Sequence, residues 1–209
     1  MKEIYAVFGG NFDPIHYGHI ISAERLAKEI LIKKIILLPN RNPPHRSKTP
    51  TSLKHKLKMI EYVIKNNNLF ELSLLETKKK VSYTIETLQK IRSKIGFLQP
   101  LCFIIGEDNL NNLNIWKNWK EILSYAHLLI LPRKSIKKYN KELQEWITLH
   151  TIKNKKYLRK KPCGFIFFSS IPFIKISSTQ IRKNFNTSEN LHKFLPIEVE
   201  KYIFEKNLY

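Results

Sequence analysis

Residues 4–19 read Ile-Tyr-Ala-Val-Phe-Gly-Gly-Asn-Phe-Asp-Pro-Ile-His-Tyr-Gly-His. An apolar, strand-like run, Ile4–Phe8, ends in two glycines, and a helical pattern follows from about Tyr17 to Leu31. Glycine lets a backbone approach a ligand because it has no Cβ atom, and a helix N-terminus attracts anions. His16 and His19 stand where the helix begins. The stretch therefore predicts a phosphate site at the carboxyl end of the first strand of an open α/β sheet.

Two other interpretations of this stretch stay open on the residues alone. The pair Gly9-Gly10 could be an ordinary tight turn. His16 and His19 could be half of a zinc site, but zinc needs three or four ligands. The two cysteines, Cys102 and Cys163, lie far apart in apolar segments without CxxC or HExxH spacing,. We therefore expect buried free thiols, with neither a disulfide nor a metal cage.

Strand-like and helical segments alternate along the chain, which predicts a parallel sheet with helices on both faces. The predicted strands are Ile4–Phe8, Lys34–Leu38, Phe70–Ser73, Leu101–Ile105, His127–Leu131 and Phe165–Phe168. The predicted helices are Tyr17–Leu31, Leu53–Lys65, Thr84–Ile95, Trp116–Ser124, Lys141–Ile147, Thr179–Asn184 and Ile197–Glu205.

The composition is that of an ordinary globular protein. The chain has 209 residues, 43% of them hydrophobic and 26% charged, which suits one domain, 1–209, with a sizeable core. No apolar run is long enough for a membrane span, and the N-terminus enters a strand at once, without a signal-peptide pattern. With two cysteines that show no pairing pattern, these features predict a cytoplasmic protein without a membrane partner.

The net charge of +20 and the pI near 9.9 could indicate a nucleic-acid-binding protein,. Of the 37 basic residues, however, 30 are lysine and 7 are arginine, whereas phosphate and groove recognition favour arginine. Lysine, isoleucine and asparagine all have AT-rich codons, so a biased genome explains the excess more simply, and we expect no nucleic-acid partner. The basic stretch 153–161 is predicted to be a solvated loop, although contact with a substrate phosphate stays open.

Two motifs near opposite ends of the chain resemble the paired signatures of the nucleotidyltransferase superfamily. His16-Tyr17-Gly18-His19 is similar to its (H/T)-x-G-H motif, and Ile176-Ser177-Ser178-Thr179-Gln180-Ile181-Arg182 is similar to its ISSTxxR motif. They lie about 160 residues apart in the expected order. The resemblance implies a Rossmann-like, doubly wound parallel sheet.

Further segments resemble bacterial nicotinate-nucleotide adenylyltransferases in particular. Residues 38–46, Leu-Pro-Asn-Arg-Asn-Pro-Pro-His-Arg, are similar to their P-x-x-x-P-P-H-R loop, and Ser82-Tyr83-Thr84 matches their S-Y-T turn. Residues 103–110 match their I-G-x-D-x-L segment, and Trp116 follows at the expected distance. The resemblance runs from Val7 to Tyr202. One departure is Asn11, where a small hydroxyl residue is common; asparagine can still hydrogen-bond or tolerate an unusual φ.

The resemblance implies that ATP and nicotinate mononucleotide are converted to nicotinate adenine dinucleotide and pyrophosphate, a step of NAD biosynthesis. The mononucleotide phosphate attacks the α-phosphorus of ATP, so positioning and charge stabilisation are needed rather than a general base. Mg²⁺ is expected to arrive with ATP and to keep most of its waters, without a protein cage. The implied catalytic residues are His16, His19 and Arg182, and the implied ATP-binding residues are Gly9, Gly10, Asn11, Gly18, Gly106, Asp108, Ser177, Ser178 and Thr179.

The resemblance also assigns residues to the acceptor nucleotide. Trp116 would stack on the pyridine, and the N–H groups of Tyr83-Thr84 would bind its carboxylate. His45 and Arg46 would bind the mononucleotide phosphate. Asp13 is grouped with them, although with Pro14 its expected part is to fix the loop. A core position for Trp116 stays open, while Trp119 and Trp146 are the expected core tryptophans.

Other functions also remain to be separated from this one. The acceptor could be nicotinamide mononucleotide or phosphopantetheine. A basic nucleic-acid-binding module with a vestigial fold would show RNA binding that weakens steeply with salt. A nucleotide sensor would bind ATP without turnover, although the two intact signatures argue against it. The oligomeric state is left open by the sequence.

Overall fold

The computed structural model describes residues 2–40, 51–77, 83–133, 139–185 and 191–209. Its strands form one sheet and agree with the predicted strands to within about two residues at most ends. In chain order they are β1 (Ile4–Gly10), β2 (Ile32–Pro39), β3 (Phe70–Leu72), β4 (Leu101–Gly106), β5 (His127–Leu131) and β6 (Ile166–Phe168).

The helices lie between and after the strands, as the alternating pattern predicts. Across the described ranges, none is long and apolar enough to cross a membrane. The α-helices are α1 (Tyr17–Ile30), α2 (Leu53–Lys65), α3 (Thr84–Ile95), α4 (Glu107–Leu110), α5 (Ile122–Tyr125), α6 (Lys141–His150), α7 (Tyr157–Lys160), α8 (Ser178–Asn184) and α9 (Ile197–Lys206).

The sheet is parallel throughout, with the strand order β3-β2-β1-β4-β5-β6. Val7 of β1 is in register with Ile36 of β2 on one side and with Phe103 of β4 on the other. The order reverses between β1 and β4, and ligands of such sheets bind in the crevice at the carboxyl ends of these two strands. The predicted Rossmann-like, doubly wound sheet is confirmed.

Alternate side chains of β1 are buried in two hydrophobic layers, one on each face of the sheet. Ala6 and Phe8 are buried in the layer that also contains side chains of α1, α2 and α9. Val7 is buried in the opposite layer, with side chains of α3 and α6. Successive side chains of a strand point to opposite faces, so a fully apolar strand is needed where both faces are covered. Packing on both faces therefore fixes the position of the sheet, including the carboxyl ends of its strands.

The predicted helix Trp116–Ser124 is wrong in its first half. The chain instead forms two short 3₁₀ turns, Leu113–Ile115 and Trp119–Glu121, before α5 begins. Asn118 adopts a left-handed conformation with φ of 50°, which a right-handed helix cannot contain. Trp116 therefore lies in a bend between two turns.

The basic stretch 153–161 is not simply a solvated loop, because it contains α7. Leu158 is fully buried, and Arg159 Nη2 donates to the carbonyl oxygens of Ile30 and Leu31 at 3.1 and 2.9 Å. Arg159 Nη1 donates to the carbonyl oxygen of Lys2, just before β1. These partners lie at the amino end of β1 and the C-terminal end of α1, so this part of the stretch lies at the sheet edge opposite to the predicted phosphate site.

Candidate active site

The two histidines of the first motif form a stacked pair at the start of α1. Their ring centroids are 3.8 Å apart, with 28° between the ring planes. His16 is the N-cap residue of α1 and is 3% exposed, while His19 lies one turn on and is partly buried. The edge of the Phe12 ring also faces His19, with centroids 5.1 Å apart. The predicted position of both histidines at the beginning of this helix is confirmed.

Burial keeps this pair neutral. Desolvation lowers the pKa of His16 from 6.5 to about 3, and the positive charge of Arg133 adds to the lowering. Desolvation also lowers the pKa of His19 well below 6.5, with further contributions from His16 and Arg133. Both Nδ1 atoms are buried and have no hydrogen-bond partner. Near neutral pH the two rings are therefore uncharged.

Gly18 makes room for the imidazole ring of His16. A Cβ atom on Gly18 would lie 2.9 Å from His16 Nδ1 and 3.1 Å from the Cβ of Ile176. Ile176 begins the second motif, so the two motifs touch at this glycine. Any larger residue would displace the imidazole, the second motif or both.

Residues of the second motif hydrogen-bond to the loop between β1 and α1, which leads into the first motif. Ser177 Oγ accepts a hydrogen bond from the Gln180 N–H at 3.2 Å and so caps α8, as predicted for one of these hydroxyls. Ser178 Oγ donates to the Pro14 carbonyl at 3.0 Å. Arg182 Nη1 donates to the Asp13 carbonyl at 2.6 Å, and Nη2 donates to Thr179 Oγ1 at 3.4 Å. The sequence motifs that stand about 160 residues apart thus form one continuous structure.

The loop between β1 and α1 differs in detail from the expectation. The residue with a left-handed conformation is Phe12, with φ of 46°, and not Asn11. The Asn11 Oδ1 atom is buried without a hydrogen-bond partner. A Cβ on Gly10 would lie 3.0 Å from the Phe12 ring, and one on Gly9 would lie 3.3 Å from the Phe103 ring. These glycines therefore leave room for the buried aromatic rings of Phe12 and Phe103.

The N-terminus of α1 is less open than the sequence indicates. The Tyr17 N–H donates to the Phe194 carbonyl at 2.9 Å, so this group is not available to an anion. The segment around Phe194 precedes α9 and closes over the helix end.

Asp108 lies just past the carboxyl end of β4, as predicted, and is paired with a residue that the sequence analysis did not select. Arg133 Nε lies 3.2 Å from Asp108 Oδ1 in a partly exposed ion pair. A Cβ on Gly106 would clash with Asp108 Oδ1 and would lie 2.9 Å from Arg133 Nε, so this glycine makes the pair possible. Arg133 comes two residues after β5, a strand whose residues are all buried. This position, at the carboxyl edge of the sheet, is the feature of the sequence that could have identified Arg133 as a site residue.

The residues expected to bind the pyridine are brought to neighbouring segments. Tyr83 is the N-cap residue and Thr84 the first residue of α3. Trp116 is partly buried, with its ring edge-on to Phe103 at a centroid distance of 6.4 Å. Lys117, the next residue, places its ammonium group 4.6 Å from the centre of the Tyr83 ring. Ser82, His45 and Arg46 lie outside the described residues.

Of the other two tryptophans, which were expected in the core, Trp146 is buried, whereas Trp119 is partly buried, as Trp116 is. Trp119 and Trp146 make an edge-to-face contact at 5.0 Å.

Among the residues that the structure describes, no group of three or more His, Cys, Asp or Glu side chains could hold a metal ion. Both cysteines are free; Cys102 is buried and Cys163 is partly buried.

A buried lysine, Lys56, lies near the loop between β1 and α1, and the sequence did not identify it as a site residue. Lys56 of α2 is 1% exposed, and its Nζ donates to the Asn40 carbonyl at 3.0 Å. Burial lowers the pKa of this lysine, while the negative charge of Asp13 opposes that effect. Lys56 lies in an otherwise amphipathic helix, where a lysine is usually exposed. No pattern in the sequence therefore indicates its role.

Comparisons with known proteins agree with this geometry. The family model described as cytidylyltransferase-like matches residues 7–184, which includes both motifs. A probable nicotinate-nucleotide adenylyltransferase of Buchnera aphidicola subsp. Schizaphis graminum is 66% identical, and the alignment covers 100% of this chain and 97% of the relative. One from Yersinia pestis, also named probable, is 39% identical, with 99% and 96% covered.

A solved structure shows the same fold at lower identity. The nicotinic acid mononucleotide adenylyltransferase of Plasmodium falciparum, complexed with NaAD, has a TM-score of 0.76 and 21% identity. The match covers 99% of this chain and 97% of that one. The model match and the identities over nearly the full length show that this chain belongs to the cytidylyltransferase-like family and, within it, to the nicotinate-nucleotide adenylyltransferases.

Proposed function

We propose that this chain transfers the adenylyl group of ATP to nicotinate mononucleotide, giving nicotinate adenine dinucleotide and pyrophosphate, in NAD biosynthesis. The observation that carries the proposal is the joining of the two motifs, in which Arg182 and Ser178 donate to the carbonyl groups of Asp13 and Pro14. This contact brings an arginine and a neutral histidine pair to one sheet edge. The names of the full-length relatives support the same reaction.

The reaction needs a site that positions two anions. An oxygen of the mononucleotide 5′-phosphate attacks the α-phosphorus of ATP, a new P–O bond forms, and the bond to the β-phosphate oxygen breaks. Pyrophosphate leaves with the electron pair. Because a phosphate oxygen is already a nucleophile, the protein contributes alignment and stabilisation of the developing charge.

His16 and His19 donate hydrogen bonds to the phosphates of ATP in this proposal. Both rings are neutral near pH 7 because their pKa values are lowered, and a neutral imidazole still donates one N–H bond. The negative charge of a bound triphosphate opposes the effects that lower both pKa values. Arg133 and Arg182 add permanent positive charge at the same edge. These arginines can therefore balance the negative charge of the triphosphate without a positively charged histidine.

The acceptor pocket is proposed to lie between Trp116 and the start of α3. The flat indole offers a stacking surface, and the backbone N–H groups of Tyr83 and Thr84 begin a helix and so favour an anion. Lys117, which lies against the Tyr83 ring, also pairs with Glu86 at 2.9 Å. Backbone donors suit a carboxylate, whereas a carboxamide turns its own NH₂ donors toward them.

Magnesium is proposed to be part of the nucleotide substrate. It enters as the ATP complex and is held mainly by phosphate oxygens and water. Removal of Mg²⁺ with a chelator should abolish turnover, and the folded state should keep its melting temperature, because no described residue is assigned to hold the ion. We also propose a cytoplasmic location, where ATP and reduced thiols such as Cys102 and Cys163 are usual.

The two mononucleotides provide the test of acceptor choice. Pyrophosphate release is measured with ATP and either the acid or the amide mononucleotide, over the same concentration range. A misplaced buried polar group costs about 1–3 kcal/mol, and the anion loses its favourable helix terminus as well. We expect kcat/KM for the acid to be at least about a hundredfold higher. Equal use of the amide would contradict this assignment of the acceptor.

A further inference from the structure

Asp13, in the loop before α1, is held from both its side chain and its main chain. Its side chain is 1% exposed, and Oδ1 accepts a hydrogen bond from the Tyr209 hydroxyl at 2.7 Å. Its carbonyl accepts from Arg182. The second carboxylate oxygen, Oδ2, is buried without a hydrogen-bond partner. A buried carboxylate with so few donors depends strongly on each of them, so the tyrosine hydroxyl matters for the position of this loop.

Tyr209 is itself held firmly. Asn207 takes a left-handed conformation after α9, and the Leu208 N–H donates to the Ile203 carbonyl at 3.2 Å. This turn directs the chain back toward the loop. The Tyr209 ring packs edge-on against Phe185, which is buried, with centroids 5.9 Å apart. The segment that carries the phenol is therefore held in place by the turn after α9 and by the contact with Phe185.

The same loop leads directly into the histidine pair. Asp13 stands three residues before His16, and Pro14 between them is fixed through its carbonyl by Ser178. A movement of Asp13 therefore moves the residue that caps α1. Misplacement of a reacting group by about 1 Å can cost roughly a hundredfold in rate.

We propose that Tyr209 is a positioning residue for adenylyl transfer: its hydroxyl holds Asp13, and through Asp13 it keeps the loop that carries His16 in its active geometry. The inference rests on the proposed function for its kinetic part. Tyr209 makes no contact with the reacting atoms in this account. It acts through a residue that is 196 positions away in the sequence.

Tyr209→Phe tests the proposal because it removes only the hydroxyl. We expect kcat to fall roughly tenfold, which corresponds to about 1.4 kcal/mol, while KM for both nucleotides changes less than about twofold. The matched control is Tyr202→Phe. The Tyr202 hydroxyl pairs with His55 Nδ1 at 2.8 Å and lies on α9, so this variant removes a tyrosine hydrogen bond of similar length and should keep its kcat.

Two further measurements separate positioning from general stability. In combination with Asp13→Ala, which removes the acceptor of the tyrosine hydroxyl, Tyr209→Phe should add little to the loss of kcat, since both act through one contact. Hydrogen exchange in a peptide covering residues 11–17 should be faster in Tyr209→Phe than in the wild type or in Tyr202→Phe. This readout requires no activity, so it decides the structural claim even if the wild type releases no pyrophosphate.

Several outcomes would overturn the inference. They are an unchanged kcat in Tyr209→Phe, an equal loss in Tyr202→Phe, fully additive losses with Asp13→Ala, or unchanged exchange in the peptide. A wild type that is inactive with ATP and nicotinate mononucleotide overturns the proposed function instead.

Discussion

The imidazole rings of His16 and His19 stack at 3.8 Å, and both have their pKa values lowered by burial and by the charge of Arg133. Two positively charged rings would repel each other at this distance. The stacked arrangement is therefore that of the neutral pair.

His19→Ala should reduce kcat by roughly 10²- to 10³-fold, because it removes a donor aimed at charge that develops on the phosphates. His16→Ala should act similarly. The control is His192→Ala, since His192 is exposed on the short turn Leu191–Lys193 and should keep full turnover. Circular dichroism checks that the fold is intact. Near-normal turnover in a folded His19→Ala variant would contradict the assigned role.

Arg133→Met should raise the pKa of both His16 and His19, because it removes a nearby positive charge that lowers them. Titration of the imidazole protons by NMR measures the change. The same variant should raise KM for ATP, whereas Arg133→Lys should keep most of the charge effect but lose the contact of Nε with Asp108,. Unchanged titration of both histidines would remove Arg133 from the electrostatics of the site.

Trp116→Ala should weaken the binding of the acid and the amide mononucleotide to similar extents. Stacking depends on the ring face, which is the same in both, whereas the choice between them depends on the groups at the 3-substituent. The preference for the acid should therefore survive. Trp116→Phe should restore part of the lost affinity. Loss of the preference in Trp116→Ala would show that the indole itself selects the acceptor.

Acid should destabilise the protein partly through His127. Its ring accepts from the Phe165 N–H through Nδ1 at 3.1 Å and pairs with the Lys161 carbonyl through Nε2 at 3.0 Å, so Nε2 carries the proton. Burial lowers its pKa from 6.5 to about 4. Between these values the unfolded chain binds more protons, and stability falls as the pH decreases through this window, by about 3 kcal/mol for this group.

Urea unfolding of the wild type and of His127→Gln at pH 7.5 and pH 4 measures this contribution. The variant should be less stable at pH 7.5, but its free energy of unfolding should decrease less on acidification. An equal decrease in both proteins would show that His127 is not a major source of acid sensitivity.

Lys153, Lys155 and Lys156 should be replaceable together by glutamine with little change in KM for either nucleotide. The stretch that contains them contacts the end of α1: Lys155 Nζ donates to the Glu29 carbonyl at 2.6 Å. Arg159→Met, by contrast, should lower the melting temperature, because Arg159 satisfies carbonyl groups at the end of α1. A severalfold rise in KM in the triple variant would show that the basic stretch reaches the substrates.

How much the sequence predicted depended on the range of the interactions. The strands of the sheet, the N-terminus of α1 at Tyr17 and the Ser177 cap follow from local patterns, and the structure confirms them. Trp116–Ser124 is not one helix because Asn118 takes a left-handed conformation with φ of 50°, which no local pattern in the sequence predicts. The contacts of Tyr209 with Asp13 and of Arg133 with Asp108 join distant segments, and no periodicity in the sequence indicates such pairs.

The most direct test of the central claim is to mix the purified chain with MgATP and nicotinate mononucleotide and to follow the products by mass spectrometry. Nicotinate adenine dinucleotide and pyrophosphate should form in equal amounts, with no accumulation of AMP. A chain that binds ATP but forms no dinucleotide, or that releases AMP instead, would contradict the claim that this site transfers an adenylyl group to the mononucleotide.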